Sequence, residues 1–164
     1  MTYLFQPMAR KHAESMMNWR YQVPYNFYDF DNSEEMMSEL MNGDYYSVFN
    51  DKDIESPIGF FCIGNSARVP GGYTAGIYER SDFMDIGLGF EPSQTGKGLG
   101  RIFVKEGMDY LRQQLNQEMF RLVVARFNER AIHVYRENGF VVHCKFTSKV
   151  HDRVVEFICM IREN

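Results

Sequence analysis

The chain has 164 residues, 45% of them hydrophobic and 24% charged, which suits one globular domain with a real core and is too short for two. Its 18 lysines and arginines against 22 acidic residues leave a formal charge of −4, so there is no basic footprint for nucleic acid or an anionic membrane surface. A polyanionic ligand has to be gripped locally, by a few cations and backbone amides.

The opening Met1-Thr-Tyr-Leu-Phe-Gln-Pro7 has no charged stretch followed by an apolar run, so it does not read as a signal peptide. No apolar run is long enough to span a bilayer. Cys62, Cys144 and Cys159 are odd in number, far apart and set in apolar runs. They read as free thiols in a reducing compartment, which points to the cytoplasm. The four histidines show no ligand-like spacing with cysteines or carboxylates, so no metal is expected.

Tyr3 to Phe5 reads as a strand and Ala9 to Tyr21 as a helix, with Ala13, Met16, Met17 and Arg20 near helical spacing. An aromatic segment runs from Trp19 to Phe30. Ser33 opens a second helix with Glu34 and Glu35 in its first turn, and Asn42-Gly43 ends it. Tyr45 to Phe49 and Pro57 to Gly64 read as strands. Arg68 to Gly72 reads as a turn, and Tyr73 to Tyr78 as strand or loop.

From Met84 the pattern sharpens. Met84 to Phe90 is a strand, Thr95 to Gly100 a glycine-rich loop, and Ile102 to Leu115 a helix whose Val104, Met108, Leu111 and Leu115 share one face. Phe120 to Phe127 is a strand. Glu129 to Asn138 is a helix closed by Gly139, and Phe140 to Phe146 and Val154 to Ile161 are strands. This alternation argues for a mixed sheet covered by helices, in one domain over residues 1–164.

The strongest chemical feature is Gly96-Lys97-Gly98-Leu99-Gly100-Arg101, between a strand and an amphipathic helix. Alternate glycines let backbone approach a ligand, a helix N-terminus offers N–H groups to an anion, and Lys97 and Arg101 add charge. A Walker A loop needs Ser or Thr after Gly-Lys, and Gly98 stands there instead. The dinucleotide fingerprint needs glycine where Arg101 stands.

The loop resembles that of the GNAT N-acetyltransferase superfamily, Gln/Arg-x-x-Gly-x-Gly/Ala, with Thr95 where Gln or Arg is usual. Further on, Asn128-Glu-Arg-Ala131-Ile-His-Val-Tyr135-Arg-Glu-Asn-Gly139-Phe140 is similar to the family's Asn-x-x-Ala-x-x-x-Tyr-x-x-x-Gly-Phe segment. From the residues themselves, Asn128 is a helix N-cap, and Ala131 and Tyr135 lie one turn apart on one face.

The resemblance implies a GNAT-like α/β fold: a mixed, mostly antiparallel sheet of about seven strands, helices on both faces, and a splayed strand pair at 84–90 and 120–127. It also implies acetyl-CoA as co-substrate. The cofactor would be held at Leu88, Gly89 and Phe90, by the loop Gly96 to Arg101, and by Asn128, Ala131 and Tyr135. Tyr135 would protonate the departing thiolate. A non-catalytic acyl-CoA sensor on the same fold is the alternative. Family members often pair as dimers, which leaves a homodimer open.

The attacking amine has to lose a proton first. Asp85 is the first candidate base, because it shares a strand face with Gly87 and Gly89, which leave that face without side chains. Glu79 is the second. Trp19, Tyr25 and Tyr28, with Asp29 and Asp31 near them, suit a cationic amine acceptor, a small molecule or a protein N-terminus. Packing of the same aromatics into the core is the competing reading.

Overall fold

The computed structural model describes residues 2–163. Among them are seven strands and five α-helices: β1 (Tyr3–Pro7), α1 (Arg10–Met17), α2 (Glu34–Leu40), β2 (Tyr45–Asn50), β3 (Gly59–Ile63), α3 (Pro70–Thr74), β4 (Met84–Phe90), α4 (Gly100–Leu115), β5 (Phe120–Ala125), α5 (Glu129–Glu137), β6 (Val141–Val150) and β7 (Arg153–Arg162). The strand order is β1-β2-β3-β4-β5-β7-β6. The fold gathers into two compact units interleaved along the chain. One comprises the described residues as far as Cys62 together with Leu88–Gly107. The other comprises Ile63–Gly87 and the described residues from Met108 onward.

In the first unit β1 pairs antiparallel with β2, and β2 with β3. The end of β4 continues alongside β3, where the Glu91 N–H donates to the Ile58 carbonyl at 2.8 Å. Aromatic rings fill the core: Phe103 of α4 stacks on Phe90 at 4.2 Å and meets Phe61 at 5.1 Å and Tyr3 at 5.7 Å. The buried Glu106 carboxylate accepts from the N–H groups of Thr2 and Tyr3, at 2.8 and 3.0 Å. The bond to Tyr3 satisfies an amide at the start of β1 that is buried.

Helix α1 stops at Met17, four residues short of the expected end. The Arg20 guanidinium donates to the carbonyls of Met17 (2.8 Å) and Trp19 (2.7 Å) and closes the helix there. Helix α2 starts as expected, the Ser33 hydroxyl accepting the Met36 N–H at 3.1 Å.

In the second unit β4 and β5 run parallel over Met84↔Phe120 and Asp85↔Arg121, while β5–β7 and β6–β7 are antiparallel. Strands β6 and β7 are each longer than expected. They meet in a two-residue turn at His151 and Asp152, both left-handed (φ 49° and 63°), the geometry of a tight hairpin. No glycine marks that turn, so composition does not announce it.

Helix α3 occupies a stretch read as turn followed by strand or loop. Pro70 fits a first helical position. Two glycines give the helix little propensity of its own, and β6 supplies the rest. The Gly71 N–H donates to the Ser148 hydroxyl at 2.8 Å, and a Cβ on Gly71 would lie 2.1 Å from the Thr147 carbonyl oxygen.

His12 is buried in α1, its ring edge-on to Phe49 at 4.7 Å, and neither ring nitrogen has a hydrogen-bond partner. Burial, then the charge of Lys11, holds its pKa below the usual histidine value, with Glu55 opposing. The native state therefore resists protonation there. Its stability is full above the unfolded pKa of about 6.5 and falls as pH drops through the lower folded value. Denaturant unfolding between pH 7.5 and 5 is expected to show this loss, with a slope below the one-proton limit of about 1.4 kcal/mol per pH unit. His12→Phe should flatten it. An unchanged slope in the variant would place the acid sensitivity elsewhere.

Candidate functional site

The glycine loop lies wholly in the first unit. After β4 the chain makes a 3-10 turn over Pro92–Gln94, and the Thr95 hydroxyl donates to the Pro92 carbonyl at 2.8 Å. Gly96 and Gly98 follow with φ of 72° and 75°, conformations that disfavour any residue with a Cβ. A Cβ at Gly98 would find no atom within 4 Å, so the space beside it is open. Lys97 and Arg101 are exposed and Leu99 is half-buried. Helix α4 begins at Gly100, and its first-turn N–H groups have no acceptor within the helix. This arrangement of open glycine backbone, a helix N-terminus and two cations can hold a diphosphate.

The strand before it differs from expectation. A Cβ at Gly89 would lie 2.3 Å from the Phe60 ring, so Gly89 makes room for an aromatic side chain, and the strand face is not left vacant at that position. The Phe90 carbonyl accepts a 2.6 Å bond from the Tyr21 hydroxyl. Leu88 is half-buried. Nothing in an aromatic-rich segment marks which hydroxyl meets a strand, so the sequence does not single out Tyr21.

Of the aromatic segment, Trp19 lines a cleft of about 470 Å³ together with Ser15, Asn50, Asp53, Ile58 and Glu91. Tyr25 and Tyr28 lie in a 3-10 turn, Tyr25–Tyr28, none of whose residues is buried, and they do not line that cleft. The Asp29 carboxylate accepts the Tyr21 N–H at 2.9 Å and folds the segment back on itself. The turn is not core packing, and its residues are not among those lining the Trp19 cleft.

In the second unit the Asn128 side chain caps α5 by accepting the Ala131 N–H at 3.1 Å, as its spacing predicts. Ala131 is half-buried and Tyr135 only 9% exposed, its ring edge-on to Phe140 at 6.1 Å. The Tyr135 carbonyl accepts from the N–H groups of Asn138 and Phe140, so the end of α5 holds this residue's backbone in place.

Asp85 is not placed to act as a base. Its side chain is 4% exposed, and both oxygens are engaged by guanidinium groups. Arg121 donates to Oδ1 at 2.6 Å and to Oδ2 at 2.9 Å, and Arg68 donates to Oδ2 at 2.9 Å. Arg121 also donates to the carbonyls of Ile77 and Arg80, at 2.6 and 3.1 Å. The Tyr78 and Phe83 rings flank its guanidinium, and Tyr78 also faces Arg68 at 4.7 Å. Burial pushes the Tyr78 hydroxyl up to about 12, and its oxygen accepts the Val69 N–H at 2.9 Å. Three of the roughly four acceptor positions of the Asp85 carboxylate are taken by guanidinium N–H groups, and its burial keeps it from bulk water. The missed residue is Arg121, and its signal was visible: one charge inside the apolar run Phe120 to Ala125 requires a buried partner. Glu79 is exposed.

A profile of the acetyltransferase (GNAT) family matches residues 11–140. The chain belongs to the GNAT family of acetyltransferases. It is 39% identical over 66 residues to a spermidine N(1)-acetyltransferase of Escherichia coli, a match covering 40% of the chain and 34% of that relative. It is 28% identical over 127 residues to the spermidine N(1)-acetyltransferase of Vibrio cholerae, covering 77% of the chain and 66% of that relative. The aligned parts thus span about a third and just under two thirds of those relatives' lengths. A solved Vibrio cholerae spermidine N-acetyltransferase, in complex with CoA and spermine, has the same fold, with TM-score 0.72 at 19% identity over 98% of the chain and 94% of its own.

In this GNAT protein the Asp85 geometry gives a direct test. Asp85→Asn leaves the Arg121 guanidinium buried without its anion, and breaking such a pair costs about 3–5 kcal/mol. Thermal unfolding should show a correspondingly large loss of stability. A variant with wild-type Tm and abolished turnover would restore Asp85 as a base.

Proposed function

We propose that this chain transfers the acetyl group of acetyl-CoA directly to an amine. The observation that carries the reading is the left-handed Gly96–Gly98 turn leading into the N-terminus of α4, in a chain of the GNAT family. Gly96 to Arg101 would hold the diphosphate, mainly through backbone amides. When bound, acetyl-CoA supplies the acetyl group already activated as a thioester.

The amine nitrogen forms a bond to the acetyl carbon, the carbon–sulfur bond breaks, and the Tyr135 hydroxyl gives its proton to the sulfur. No acyl-enzyme is required. An alkylamine of pKa ~10.4 is unprotonated about one part in a thousand near neutrality, so a base is useful. With Asp85 committed to its ion pairs, the exposed Glu79 is the carboxylate we assign to that task. Trp19, Tyr25 and Tyr28 are assigned to the acceptor, which their incomplete burial supports. A linear polyamine is the amine class to try first, because the curated relatives are named for spermidine. The free thiols suit a reducing cytoplasm as the place of action.

The test is release of CoA thiol from acetyl-CoA across a panel of amines, with Tyr135→Phe beside the native chain. The substitution keeps the ring and its packing and removes the acid, which is typically worth about 10²–10⁴-fold. Turnover should fall within that range when chemistry limits the rate, with acetyl-CoA affinity little changed. Full turnover by the variant would make Tyr135 a packing residue. No thiol release with any amine, despite tight acetyl-CoA binding, would leave a sensor.

A further inference from the structure

Two of the three cysteines stand directly opposite each other. Cys144 of β6 and Cys159 of β7 are register partners in an antiparallel ladder, and the pairing shifts between Val142 and Cys144, so that they sit just beyond a bulge. Opposed residues in such a ladder have Cα atoms roughly 4.5–5.5 Å apart, inside the window of about 4.4–6.8 Å that a disulfide requires. Their side chains share a face. The next pair along it, Phe146 and Phe157, meets across the strands with ring centroids 5.6 Å apart and planes 17° from parallel. Cys159 is fully buried, and Cys144 is half-buried, within reach of a small reagent. Cys62 lies on β3, in the other unit.

We propose that Cys144 and Cys159 are a thiol–disulfide site, oxidised by a small-molecule disulfide of the glutathione class to a bridge between β6 and β7. Burial, then the neighbouring Cys144, pushes the Cys159 thiol up to about 12, so it stays protonated and Cys144 reacts first. The Cys144 thiolate attacks one sulfur of the oxidised glutathione, forming a mixed disulfide and expelling a glutathione thiolate. The Cys159 sulfur then attacks Cys144, closing the bridge and releasing the second glutathione. The two cysteine protons end on the two glutathione thiols. The protein pair loses two electrons, and the reagent's disulfide gains them. The bridge would staple the hairpin where the bulge interrupts its ladder.

The experiment treats the full chain with excess oxidised glutathione, then counts alkylatable thiols in denaturant by intact mass and maps any linked peptides. The native chain should fall from three thiols to one, with the peptides of Cys144 and Cys159 joined, and a reductant should restore all three. Cys159→Ser should instead stop at one glutathione on Cys144, which traps the intermediate. Cys144→Ser should keep both remaining thiols. Three thiols surviving in the native chain, a bridge that includes Cys62, or a Cys144→Ser variant that loses two thiols would each overturn the proposal.

Discussion

A buried carboxylate and a buried guanidinium facing each other across a parallel ladder fix the second unit. Asp85 and Arg121 are register partners on β4 and β5 as well as an ion pair, so one interaction sets both strand register and charge balance. The planar fork of Arg121 has donors left over, and they reach the carbonyls of Ile77 and Arg80. The loop before β4 is thereby clamped to the sheet by the same group. A lysine could not make these bonds together, because its single ammonium lacks the divergent donors. Desolvating two charges is costly, and the four hydrogen bonds of Arg121 are what make the arrangement tolerable.

The candidate site draws on backbone conformation more than on side-chain chemistry. Thr95 stands where the family usually has Gln or Arg, and its hydroxyl is engaged with Pro92, shaping the turn that precedes the glycines. What remains to hold an anion is the left-handed pair Gly96 and Gly98, the first turn of α4, and two exposed cations. A grip of that kind would tolerate the Thr95 departure, since it would depend on where amides point and little on the side chain lost. Tyr135 is likewise positioned by main chain, through the bonds that its carbonyl accepts at the end of α5.

Much of this was legible in the sequence. Strand β4 keeps the bounds its apolar run suggests, and α5 has the N-cap and closing glycine that its residues announce. Local signals of this kind survive folding because the physics behind them is local. The failures were tertiary. Helix α3 contains two glycines and forms where β6 accepts its backbone, which no propensity predicts. The bare face of Gly89 looked like space for a ligand and is filled by Phe60. Period-two alternation puts Asp85 on a face without saying what lies opposite, and the one local sign of its partner is the charge of Arg121 inside an apolar strand. Tyr21 could not be told from its aromatic neighbours, since only the folded chain brings Phe90 to it.

We propose that the amides around Gly96, Gly98 and Gly100 receive the diphosphate of acetyl-CoA. Amide shifts of the ¹⁵N-labelled chain, followed by NMR as CoA is added, report on those groups one by one. The account predicts that the largest saturable changes fall within Gly96 to Arg101. CoA that binds while the amides of this loop stay unmoved would contradict it.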